Sequence, residues 1–340
     1  MQNLLDPAIL FFIFGVLAGM LKSNLEIPQP IARFLSLYLL MALGLKGGFA
    51  LAHSGITTQV ATSLGCAILL AVVIPLLGFT VLRRFLSGFD AAAVAATYGS
   101  VSAVTFVTAV QTLENQHVAF GGYMAAAMAM MESPAIIIAV VLANALRLRR
   151  MPVALGVGAG AGAAVIGMGM TPSAARGASA GKILHESFTD GAQLLLIGAM
   201  LIGILSGDAG KAAMQPFTGD LFKGLLAFFL LDMGLLTARS LPQIPQKSPW
   251  LIAYAVLGPL THASLALCLA WLLKVPVGDG TLLMVLAGSA SYIAVPAVLR
   301  HAIPEANPAL YFGLSLGITF PLNILFGIPL YLAAARMILQ

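Results

Sequence analysis

The sequence predicts an all-α polytopic membrane protein, with ten transmembrane helices in two inverted five-helix repeats and one broken helix per repeat. Three observations carry this. Hydrophobic residues make up 60% of the 340, charged residues only 9%, and mean hydropathy is +1.00, whereas a soluble domain carries about 25% charged residues. Several windows run 18 or more residues with almost no charge, the length that crosses about 30 Å of hydrocarbon. The stretch Gly99-Ser100-Val101-Ser102-Ala103-Val104-Thr105 also finds a counterpart 189 residues later, in Gly288-Ser289-Ala290-Ser291-Tyr292-Ile293.

The first repeat, residues 1–146, holds spans at about 8–26, 31–54, 59–82, 89–112 and 119–146. Residues 147–188 follow as a Gly/Ala-rich linker. Val153 to Met170 is apolar and long enough to cross, but six of its residues are glycine, each costing a helix about 0.8–1 kcal/mol relative to alanine. Basic residues also flank it on both sides, which a single crossing would have to split. The second repeat, residues 189–340, holds spans at about 190–207, 221–240, 250–273, 280–299 and 309–335. Five is odd, so the second repeat runs inverted. Gly44 and Gly234, in similar apolar segments 190 residues apart, support duplication with inversion.

Orientation follows from lysine and arginine. Placing both termini outside sends Lys22, Arg33, Arg83, Arg84, Arg147, Arg149, Arg150, Arg176, Lys182, Arg239, Lys247 and Arg300 to the cytoplasm. It leaves Lys46, Lys211, Lys223, Lys274 and Arg336 opposite. This bias predicts a multi-pass protein of the plasma (inner) membrane with extracytoplasmic termini. The first apolar run has no basic leader, which argues against a cleavable signal peptide. The net charge of +5 is that of cytoplasmic loops, not of a nucleic-acid surface. Cys66 and Cys268 read as small core residues rather than a disulfide or metal pair. No HExxH, CxxC, nucleophile elbow or phosphate loop appears, so no enzyme is expected.

The paired stretches carry the chemistry. Inverted-repeat transporters interrupt one helix in each half near the midplane, and the interruptions hold the substrate. Glycine and small residues let the chain unwind there. Pro296 lacks an N–H and disfavours the helical bond around Tyr292. Half-helix N-termini present N–H donors and a partial positive charge to an anion, and the serine and threonine hydroxyls add donors, or oxygens for a cation. Tight packing through small residues is the plainer alternative. Glu132 inside the fifth span marks either ion coupling or a buried partner. Asp232 is a candidate partner for Lys46, and His262 reads as a packing residue. Glu114 and His117 fall in an outer loop.

At these residues the chain resembles the sodium-dependent bicarbonate transporters of the SbtA type. The segments that carry the resemblance are Gly44-Leu45-Lys46-Gly47-Gly48, Gly99 through Glu114, Glu132-Ser133-Pro134-Ala135, and Gly288 through Tyr311. The resemblance implies a gate domain and a core domain, a homotrimer, and bicarbonate bound between the broken helices at Ser102, Ala103, Val104, Thr105, Ser289, Ser291, Tyr292 and Ile293. It implies Na+ as coupling ion, with Ser102, Thr105, Ser289 and Glu132 as candidates, no other cofactor, and a PII-like regulatory protein on the cytoplasmic side. The glycine-rich linker lies outside the resemblance. Two departures stand out. Ala103 and Val104 replace a glycine and a serine, and Tyr292 replaces an aspartate used for sodium. A phenol with a pKa of about 10 does not supply that anion. Uptake of another small carboxylate, cation–proton exchange through Glu132, and a non-transporting membrane sensor are the alternative functions.

Overall fold

The computed structural model describes residues 6–55, 57–150, 191–240 and 248–340, and all regular structure among them is helical. The chain runs α1 (Pro7–Met20), α2 (Gln29–Ser54), α3 (Thr58–Leu82), α4 (Gly88–Gly99), α5 (Ala103–Asn115) and α6 (Met124–Arg150). It continues with α7 (Gly191–Gln215), α8 (Leu221–Ser240), α9 (Pro249–Leu272), α10 (Val277–Ala287), α11 (Ala294–Ala302) and a long final helix, α12 (Pro308–Ile338). Most of the linker, residues 151–188, lies outside the described residues. Among the described residues, seven helical stretches are long and apolar enough to cross a membrane, and α1 and α10 are shorter apolar helices.

Local chemistry sets the helix starts. Asp6 caps α1 by accepting from the Ala8 N–H at 2.8 Å, with Pro7 in the first turn. Thr57, Ser87, Ser102 and Asn307 cap α3, α4, α5 and α12 in the same way, each satisfying one of the N–H groups a helix start leaves unpaired. The first span stops at Met20 rather than 26. Lys22 takes a left-handed φ of 55° and Ser23 Oγ accepts from the Leu25 N–H at 3.1 Å, a local bond that competes with helix. Gly207, at φ 54°, interrupts α7 at the position where the sequence ends the sixth span.

Glycine brings two helix pairs into close contact. On α1, a Cβ at Gly15 would lie 2.3 Å from Leu231 O; on α8, one at Gly234 would lie 2.2 Å from Phe12 O. α2 and α7 meet likewise, a Cβ at Gly48 lying 2.1 Å from Met200 O and one at Gly203 2.7 Å from Leu45 O. Such backbone approach is how helices associate where lipid removes the hydrophobic drive. Outside these contacts the apolar surface faces outward. Leu10, Phe14 and Leu17 are exposed on α1, and Trp250 and Trp271 are exposed at the two ends of α9. Those two residues lie about 30 Å apart at 1.5 Å per residue, the spacing of the two aromatic belts of a bilayer. Cys66 is buried as expected, but Cys268 is exposed on α9, so only the first is a core residue.

The spans expected at 89–112 and 280–299 are each two half-helices. α4 and α5 are separated at Ser100–Ser102, and α10 and α11 at Gly288–Ile293. An aspartate opens the first half-helix of each pair, Asp90 in α4 and Asp279 in α10. Asp90 Oδ1 accepts from the Asn307 N–H at 2.8 Å, and Asp279 Oδ1 accepts from the Gly121 N–H at 2.6 Å. Each carboxylate therefore holds the loop before the last helix of the opposite half, and the two aspartates are themselves 189 residues apart.

Candidate functional site

Both breaks begin at a glycine pressed against the third helix of its own half. A Cβ at Gly99 would lie 2.6 Å from the Pro75 ring of α3, and one at Gly288 would lie 3.0 Å from Pro259 O of α9. Beyond Gly99 the chain is extended at Ser100 and Ser102. Ser102 Oγ then caps α5, accepting from the Thr105 N–H at 3.2 Å and from Thr105 Oγ1 at 2.9 Å. In the second break Ser291 Oγ accepts from the Val295 N–H at 3.3 Å. Pro296 falls in the first turn of α11, where no intrahelical N–H bond is needed.

The breaks are bonded to each other. The Ser102 N–H donates to Ser289 Oγ at 3.0 Å, and the Ser291 N–H donates to Thr97 O at 2.8 Å. α12 supports them from behind, where two π-turns (Ser315–Thr319 and Asn323–Gly327) widen the helix, a feature common near functional sites. Asn323 Nδ2 donates to Gly288 O at 2.7 Å, and Tyr331 Oη donates to Asn323 Oδ1 at 2.9 Å, which fixes the amide orientation. Thr319 Oγ1 lies 2.7 Å from Tyr98 Oη, one residue before the first break.

A cavity of about 60 Å³ lies between the breaks. Val101, Ser102, Ala103 and Val104 line it from one side, and Ser291, Tyr292, Ile293 and Ala294 from the other. Ser36, Leu40, Met128, Glu132 and Leu196 complete the wall. A single water needs about 10–15 Å³ of such space, so the cavity suits a small polyatomic ion and not a bulky substrate. Tyr292 is 4% exposed with its ring edge-on to Phe320, and its hydroxyl, near Ser102, makes no hydrogen bond within 3.5 Å among the described residues. Leaving such a group unpaired costs about 1–3 kcal/mol.

Of the residues singled out by sequence, Ser102, Ala103, Val104, Ser291, Tyr292, Ile293 and Glu132 meet at this cavity. Thr105 and Ser289 do not line it; their hydroxyls are bonded to Ser102 Oγ and to Leu286 O. Ala290 packs instead into the apolar cluster with Val94 and Ala95. Lys46 does not pair with Asp232. Its Nζ is 2.9 Å from Glu114 Oε1 and sits over the Phe222 ring, because Glu114 belongs to the last turn of α5 rather than to a loop. Asn323, Thr97 and the two clasping aspartates are not among the residues the sequence singles out. Asp90 and Asp279 carried a usable signal, the same 189-residue offset as the serines; Asn323 carried only its polarity within an apolar span.

Two interrupted helices facing one small cavity with a few polar groups in its wall, in a bundle with an apolar exterior, define a class of membrane transporter. The chain belongs to the Na+-dependent bicarbonate transporter superfamily, which it matches over residues 7–336. That family's activity is sodium-dependent transport of bicarbonate. No curated protein matches the chain.

Proposed function

We propose that this chain carries bicarbonate across the membrane by holding it in the cavity between the two breaks, with hydrogen-bond donors supplied from both sides. One observation carries the reading: Tyr292 lines the cavity beside Ser102, and its buried hydroxyl makes no hydrogen bond within 3.5 Å among the described residues. The proton accounting agrees. Ser102 Oγ already accepts two bonds from Thr105, so both its lone pairs are used and its O–H remains to donate. Ser291 Oγ accepts from Val295 and also keeps its proton. Three hydroxyl donors beside the first turns of α5 and α11 suit an anion. Tyr292 thus binds substrate where the family's aspartate would have held sodium.

This donor pattern leaves Ser102 and Ser289 poor cation ligands, because their oxygens accept bonds from protein N–H groups. Glu132, on the cavity wall, is the acid placed to carry coupling. Truncating the phenol tests the anion site. Tyr292→Phe should raise the KM for bicarbonate about tenfold or more, the effect of losing one hydrogen bond to a charged group, while the protein stays folded. An unchanged KM would remove Tyr292 from the site.

We also propose ten crossings in two inverted repeats. α4 with α5 and α10 with α11 each make one interrupted crossing, α1 adds a short one, and Gly207 divides the continuous helical run of α7 and α8. The contacts support the symmetry. Under a five-helix inversion α1 corresponds to α7 and α2 to α8, so the pairing of α1 with α8 is the image of the pairing of α2 with α7. The crossed clasps of Asp90 and Asp279, and the backing of Gly99 and Gly288 by α3 and α9, follow the same operation. Topology reporters at residue 165 should read cytoplasmic, and those at residues 2 and 339 extracytoplasmic. Either terminus in the cytoplasm would break the inversion. The homotrimer and the PII-like partner rest on the resemblance alone.

A further inference from the structure

A second cavity, of about 620 Å³, opens among α2, α5, α7, α8 and the loop at Phe120–Gly122. It is about ten times the size of the cavity between the breaks, and the two follow one another along three shared helices. On α2 the small cavity is lined by Leu40 and the large one by Leu43. On α6 the corresponding residues are Met128 and Met124, and on α5 Val104 and Phe106. About one helical turn separates the two linings on α2 and α6. The side chains at that level, Leu43, Phe106 and Met124, are all buried.

The charges of the larger cavity are unusual for its side of the membrane. With both termini outside, five of the seventeen lysines and arginines lie away from the cytoplasm, against the usual bias. Three of those five, Lys46, Lys211 and Lys223, line this one cavity. The acids beside them are Glu114 and Asp220. The Glu114 carboxylate is held by Lys46 at 2.9 Å. Asp220 is exposed in the π-turn Pro216–Asp220 that joins α7 to α8 without a break. Lys211 and Lys223 are exposed, and neither has an ion pair within 4.0 Å among the described residues. Their charge is left to act on the cavity and on ions entering it.

We infer that this chamber is a recruitment site for small inorganic oxyanions: Lys211 and Lys223 concentrate the hydrated anion there before it passes the Leu43–Phe106–Met124 level into the dehydrated cavity. The inference rests on the proposed orientation and substrate. With Lys46 paired to Glu114, Lys211 and Lys223 outweigh Asp220; an excess of one sign in a cleft raises the local concentration of the opposite ion and its association rate, and exposed charges of this kind are screened by salt. An anion held here keeps its water, since the space is far larger than the ion. The small cavity, with its donors already placed, is where that water is exchanged for protein hydrogen bonds.

The test uses the full-length protein in liposomes, with Cys66 and Cys268 replaced by alanine and Gln215→Cys introduced into the chamber wall. A sulfonate-bearing methanethiosulfonate and an ammonium-bearing one of similar size compete for this thiol. Relative to a free thiol, the sulfonate reagent should react roughly three- to tenfold faster. That preference should shrink in 0.5 M salt and disappear in Lys211→Gln/Lys223→Gln. In uptake, the double variant should raise the KM for bicarbonate several-fold more than it lowers kcat. Equal reactivity of the two reagents in the parent, or a preference that survives the double substitution, would overturn the inference. If the sulfonate preference is present and bicarbonate is not transported, the substrate reading falls and the anion chamber stands.

Discussion

Ala103→Leu should reduce bicarbonate uptake by at least about a hundredfold, the order of loss that follows when bound groups are displaced by about 1 Å. Ala103 is half-buried on the wall of a cavity of only about 60 Å³, and an isobutyl group there occupies the substrate's space. Because the group projects into a cavity and not into packed core, the protein should purify with its normal oligomeric size and thermal stability. Ala294→Leu, from the opposite break, should act in the same way. Ala290→Leu is the contrasting control. Ala290 lies in the close-packed cluster with Val94 and Ala95, so enlarging it should lower stability by about 1–3 kcal/mol. Normal uptake by both cavity-wall variants would show that the two stretches only pack helices.

Asp279→Ala should destabilise the protein by about 3 kcal/mol or more, since hydrogen bonds to a charged group contribute about 1.5–3 kcal/mol each. Asp279 is 1% exposed. It accepts from the Gly121 N–H at 2.6 Å, from Gln59 Nε2 at 3.0 Å and from the Tyr123 hydroxyl. Alanine removes the acceptor for all three and the negative charge at the start of α10. Asp90 makes the corresponding clasp in a more exposed place, bonded to the Asn307 N–H and to Ser87, so Asp90→Ala should cost about 1 kcal/mol. Thermal unfolding of the detergent-solubilised variants checks the order. A larger loss at Asp90 would show that burial does not set the strength of these clasps.

Much of this architecture was legible because hydrocarbon tolerates few arrangements of backbone and charge. The all-helical, apolar character, the broken helices at residues 99–102 and 288–293, and the meeting of Ser102, Ser291 and Tyr292 all follow from apolar runs and from polar and small residues placed where lipid disfavours them. Helix ends were less legible, since they depend on single bonds such as that between Ser23 and Leu25. Tertiary partners were least so. Lys46 lies on a helix whose neighbours include α5, α7 and α8, and no spacing rule distinguishes Glu114 from Asp232 as its partner. The roles of Thr105 and Ser289 were hidden for a related reason: a hydroxyl in a break can face a ligand or bond the backbone, and only packing decides which.

The most direct test of the account is uptake of radiolabelled bicarbonate by the purified protein in liposomes, with sodium and proton gradients imposed separately. Concentrative uptake should saturate at higher sodium than in Tyr292→Asp, which restores an anionic ligand for a hard cation. Glu132→Gln should alter the pH dependence of transport. No accumulation under either gradient, or saturation by micromolar sodium in the unmodified protein with Glu132→Gln silent, would contradict it.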